Sequence, residues 1–148
     1  MSDPTGRAPD LSLVEIAASV VVLWSMVAWG SSVDPWARVR AFGGHSPFLA
    51  VSLSMAVSFS AYVLLLITVG VDRSARVAGA LLGATICSSL FHTLLFLNQD
   101  RLLIFLLPFL ASAAAIRTRC GLRRGQAIAI SFCVALAMFG FRMVTWPV

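Results

Sequence analysis

The chain has 148 residues, 59% of them hydrophobic and only 11% charged, against roughly 45–50% and about 25% in soluble domains. A soluble fold of this length has too little interior to hide so much apolar surface. The composition therefore points to a bilayer as solvent, with room for one compact helical bundle and no separate soluble domain. The net charge of +5 comes entirely from arginines set in the gaps between apolar runs; no basic face interleaved with aromatics is present, which argues against a nucleic-acid partner.

The first ten residues hold Asp3, Asp10 and Arg7, unlike the basic start of a cleaved signal peptide, so the first apolar run is expected to be retained as a span. That span is placed at about 11–30, close to 30 Å of helix. Ser12 and Glu15 stand in capping-box relation at its start, and Trp24 and Trp29 lie toward its far end, where indoles favour the interface. A polar connection follows. Asp34–Pro35 is a helix-start pair, and a short interfacial helix over 35–42 is expected, anchored by Trp36 and Phe42 and ended by Gly43–Gly44.

The second span is placed at 47–70 and the third at 76–97, joined by a short turn containing Asp72. After the reversal Asn98–Arg101, the fourth apolar run, 102–116, is short and carries Pro108 in its middle. At about 22 Å it needs its polar flanks or a thinned bilayer to cross. The fifth span is placed at 127–146. The expected fold is thus an all-α, polytopic membrane bundle of five spans, the alternative being four spans plus a re-entrant segment.

With the amino terminus in the cytoplasm, the inner segments hold Arg7, Arg73, Arg76, Arg117, Arg119, Arg123 and Arg124. The outer side holds Arg38, Arg40, Arg101 and Arg142. This bias orients the chain amino terminus inside. The absence of lysine fits a GC-rich coding bias, and a bacterial cytoplasmic (inner) membrane is the expected location.

Span three carries the strongest packing signal. Gly79 and Gly83 stand in GxxxG spacing, and Cys87 extends the row of small side chains that lets another helix approach. A second face carries Thr85, Ser89 and His92, and span two adds Ser54, Ser58 and Tyr62 at four-residue steps. Together these form a candidate polar seam or ligand contact. The competing explanation is that the hydroxyls bond back to their own helix carbonyls.

His45 and His92 are the pair that axial haem ligation would need. Their expected depths differ by about 10 Å, and no glycine pattern makes room for a porphyrin, so no cofactor is expected and haem b is the one to test for. Arg142 is placed to snorkel outward or to pair with Asp100 or Asp34. The cysteines Cys87, Cys120 and Cys133 form neither a CxxC nor a zinc spacing. No paired intramembrane carboxylate and no nucleophile–base set is present, so no catalytic residue or metal site is expected. No family motif offers a resemblance.

The expected function is that of a non-enzymatic accessory, assembly or scaffold subunit, partnered by lipid and by other membrane subunits or further copies of itself. The alternative is a small oligomeric transporter or channel lined by the serine, threonine and histidine seam. A haem-binding electron-transfer subunit ranks behind both.

Overall fold

The computed structural model describes residues 46–97 and 99–145, together with Ser25, Trp36, Val39 and Phe42. The expected first span, 11–30, apart from Ser25, lies outside the described residues, as do Asp34, His45 and Trp146. Among the described residues the fold is all-helical. Four helices follow in order: α1 (Pro47–Val69), α2 (Arg73–Phe96), α3 (Arg101–Cys120) and α4 (Arg124–Thr145). Each is long and apolar enough to cross a membrane, so the chain is a multi-pass membrane protein. Of the five expected spans, the second to fifth correspond to these four helices, and the first lies outside the described residues.

Helix starts are set by side chains that satisfy orphan backbone donors. Asp72 accepts from the Ser74 N–H and hydroxyl at 3.3 and 2.8 Å. Asp100 accepts from the Leu102 N–H at 2.8 Å, and Gln126 reaches back to the Arg123 N–H at 3.3 Å, which is half of a capping box. Pro47 opens α1, where its missing donor costs nothing. Gly70 (φ 79°) and Gly121 (φ 63°) end α1 and α3 in the left-handed conformation that a side chain would strain. At both ends the next residue, Val71 or Leu122, donates back into the last turn, to Leu66 O or Arg117 O.

The helices run past the limits of the apolar runs. Helix α3 has 20 residues, about 30 Å long, because Arg117–Cys120 continue it as a last turn. It also continues unbroken through Pro108. Likewise α4 begins three residues before the expected boundary, with Arg124, Gly125 and Gln126 as its first turn. Exposed arginines at a helix end keep their charge in the headgroups, so they do not terminate a helix as a hydropathy boundary would.

The three connections are short, so sequential neighbours pack antiparallel. Helix α1 packs on α2, α2 on α3, α3 on α4, and α4 returns to α1, closing a four-helix ring. The core holds Tyr62, Leu66, Ala84, Cys87, Ile116 and Val134, drawn from all four helices. An aromatic cluster fills one side: Phe139 meets Phe91 at 6.1 Å and Phe105 at 5.9 Å between ring centroids. Phe42 is helical and buried, packed with Ala50 and Val51, whereas Trp36 is 75% exposed.

Candidate functional site

Helix α2 has two adjacent rows at four-residue steps, and both face inward. The first is Gly79, Gly83 and Cys87, continued by Phe91. A Cβ built on Gly83 would lie 2.9 Å from Ile116 Cγ2 and 3.0 Å from the Tyr62 ring. One built on Gly79 would collide with Cys120 Sγ. The Cys120 thiol itself donates to Ala75 O at 3.4 Å, further pinning α3 on α2. The glycine row is therefore where α1 and α3 approach α2 most closely, and its contacts are spent within the chain.

The second row is Ala80, Ala84, Ser88 and His92, all buried. His92 Nε2 shares a hydrogen bond with Ser54 Oγ at 2.9 Å. Its ring stacks on Phe42 at 5.5 Å and meets Phe91 edge-on at 5.6 Å. One turn deeper, Ser58 donates to Ser54 O at 2.8 Å, and the Ser58 and Ser88 hydroxyls are 3.2 Å apart. With the Ser58 proton directed to the carbonyl, Ser88 is the donor across the helix pair. This zipper joins α1 to α2 over two turns.

Deeper still, the Tyr62 hydroxyl ends beside Ser112 of α3 and Ser131 of α4. The three groups are near neighbours, yet neither the Tyr62 nor the Ser131 hydroxyl meets hydrogen-bond geometry with a partner. Ser112 donates to Pro108 O at 2.7 Å in its own helix. Hydroxyls from all four helices thus form one interior polar column, starting at the end where α1 begins and reaching past mid-depth.

Of the residues singled out in the sequence, Ser54, Ser58, Tyr62 and His92 lie together in this column. Thr85 is buried but donates to Leu81 O of its own helix at 2.8 Å. Ser89 is half-buried, and Ser88 takes the place on the seam. Ser112 and Ser131 were not anticipated. Each is the lone serine of its apolar run, a weak signal that becomes informative once the ring closes. His92 lies among the described residues without His45, and no group of three or more potential metal ligands occurs among those residues.

At the same end of the bundle, the Arg142 guanidinium lies 5.9 Å from the centre of the Phe91 ring, a distance at which a cation is attracted to a π face. Asp100 directs its carboxylate to the start of α3. Two cavities lie among the described residues. One, of about 10 Å³, is lined by apolar side chains between α2, α3 and α4, Phe91 and Met138 among them. The other is a crevice of about 190 Å³ between α3 and α4, with Arg117 and Arg124 on its edge. Comparison with protein-family models, curated proteins and solved structures gives no match for this chain.

Proposed function

We propose that the protein is a non-enzymatic subunit of a larger assembly in a bacterial cytoplasmic membrane, docking through the outward face of α4. One observation carries this reading: a row of small side chains on α4 left open to the outside. Gly125, Ala129, Cys133 and Ala137 stand at four-residue steps and all are exposed. A Cβ added at Gly125, or at Gly140 one turn beyond the row, would meet nothing within 4 Å. Beside the row stand Ile128, Phe132 and Leu136, each 43–50% exposed, so this face offers a groove next to a ridge. A helix facing only lipid gains little from small side chains, whereas a second helix packs closely over them. The inward glycine row cannot serve this purpose, because α1 and α3 already occupy it.

The orientation belongs to the same proposal. Antiparallel packing gathers Arg73, Arg76, Arg117, Arg119, Arg123 and Arg124 at one end of the bundle and leaves Arg101 and Arg142 toward the other. The first end is cytoplasmic by the positive-inside rule, which puts an amino terminus one span earlier in the cytoplasm.

A second reading is a small oligomeric transporter or channel. It is favoured by the interior column of hydroxyls, in which Tyr62, Ser112 and Ser131 converge from three helices. Purification in mild detergent followed by native mass measurement separates the two. A stoichiometric foreign subunit, lost in Ala129→Leu, supports docking through α4. A homo-oligomer supports the second reading, and a bare monomer from native membranes contradicts both.

A further inference from the structure

We propose that the crevice between α3 and α4 is a binding site for one anionic phospholipid from the leaflet that meets the α3–α4 turn. The crevice shares Ile128 with the ridge beside the outward row of α4, and its arginine edge lies at the helix ends rather than on that row. The crevice is amphipathic along its length. Arg117, in the last turn of α3, and Arg124, the first residue of α4, both line it, and both are exposed. The left-handed turn at Gly121 (φ 63°) reverses the chain over three residues and so brings the two guanidiniums to the same edge.

Below the arginines the lining is entirely apolar. Ala113, Ala114 and Ala127 line it, and their small side chains leave the space between the two helices' larger residues open. Leu110 and Ile128 form the walls, 52% and 49% exposed toward the bilayer. The space of about 190 Å³ is roughly six times the 30 Å³ share of a liquid water molecule. That suits a short run of methylenes, with the remainder of the acyl chain in the bilayer.

Charge selects the headgroup. Two guanidiniums present fork-like donors suited to phosphate oxygens, and neither Arg117 nor Arg124 pairs with a carboxylate among the described residues. The first turn of α4 contains no acid, so the positive end of that helix dipole adds to the attraction for an anion. A zwitterionic headgroup brings its own cation to this edge and is disfavoured. Basic pockets between membrane helices are a known setting for anionic headgroups; here the apolar crevice fixes the position of the chain as well.

The test titrates purified full-length protein in mild detergent with phosphatidylglycerol or phosphatidylcholine of matched chains, counting bound lipid by native mass spectrometry. One phosphatidylglycerol per chain is expected, bound roughly tenfold more tightly than phosphatidylcholine. Each arginine near a headgroup is worth roughly fivefold, so Arg117→Gln with Arg124→Gln lowers the affinity roughly twenty- to thirtyfold. Should that double variant fail to fold by circular dichroism, the single variants carry the same test at about fivefold each. Ala114→Leu fills the crevice with both arginines kept and also weakens binding, while Arg73→Gln, at the same end but outside the crevice, leaves it unchanged. Equal affinity for the two lipids, or full binding by the double arginine variant, overturns the proposal. Displacement of the lipid by inorganic phosphate at matched concentration assigns the edge to a free anion and overturns the lipid as occupant.

Discussion

Adding a single methyl group at Gly83 probes the close approach of α1 and α3 to α2. An alanine Cβ there would lie 2.9 Å from Ile116 Cγ2 and 3.0 Å from both Cε2 and Cζ of Tyr62. Carbon atoms rest about 3.5–4.0 Å apart, so three contacts must each open by roughly 0.5–1 Å. Neither neighbour has room to give, since Ile116 and Tyr62 are both 0% exposed. Moving the Tyr62 ring also displaces its hydroxyl from beside Ser112 and Ser131. Overpacking of this kind costs about 1–3 kcal/mol. The opposing term is helix propensity, which favours alanine over glycine by up to about 1 kcal/mol. The clash prevails, and Gly83→Ala is expected to destabilise the fold by about 1–2 kcal/mol.

Gly140 is the control, because a Cβ there would meet nothing within 4 Å. At that site the propensity term acts alone and Gly140→Ala is neutral or stabilising by up to about 1 kcal/mol. Gly83→Ile adds three further carbons and costs more than about 3 kcal/mol, whereas Ser89→Ala, at a half-buried position, stays within roughly 0.5 kcal/mol. Thermal unfolding in detergent, followed by circular dichroism, measures all four. If Gly83→Ala matches or exceeds the parent and moves with Gly140→Ala, the close approach of α1 and α3 on α2 is wrong.

At Gly79 the added Cβ meets Cys120 Sγ, the end of a half-buried side chain that can turn away at the cost of its bond to Ala75 O, so Gly79→Ala is expected to cost less than Gly83→Ala and Cys120→Ala to remove that cost. A double-mutant cycle giving simple additivity would refute the contact. Ser54→Ala removes a hydrogen-bond partner of His92 Nε2 in the buried seam and is expected to cost about 1 kcal/mol in unfolding. The exposed Ser60→Ala should be silent, and equal effects at the two serines would contradict the zipper. For topology, Gln126→Cys and Gln99→Cys, in a background without native cysteines, report on opposite ends of the bundle. Impermeant maleimide should reach position 99 in intact cells and position 126 only after the membrane is opened. Labelling of both from one side would refute the antiparallel order.

Much of the fold could be read from the sequence because a bilayer demands long apolar helices and little else. The second to fifth apolar runs became α1 to α4 with ends shifted by up to four residues. The shifts arose where hydropathy and hydrogen bonding disagree. Arg117–Cys120 and Arg124–Gln126 are mostly polar, yet they complete backbone hydrogen bonds while Arg117 and Arg124 stay exposed, and Asp72 and Asp100 set starts that a hydropathy window blurs. The polar column was half legible. Ser54, Ser58, Tyr62 and His92 share faces by simple four-residue steps, but Ser88 and Ser89 differ by one step of 100° and only a neighbouring helix decides between them. Ser112 and Ser131 were invisible for a related reason: a lone serine in an apolar run gains meaning only from what faces it. The outward row of α4 is not legible in the sequence, because small residues spaced by four look the same whether they face inward, as at Gly79 and Gly83, or outward, as at Ala129 and Cys133.

The most direct test of a docking face on α4 is a photo-crosslink scan in intact native membranes. Benzoylphenylalanine placed at Cys133, in the middle of the open row, is compared with the same residue at Leu107, 40% exposed on the outside of α3. The account predicts one discrete protein adduct of fixed mass from position 133 and only lipid adducts from position 107. Lipid adducts alone from both positions, or the same protein adduct from both, would contradict it.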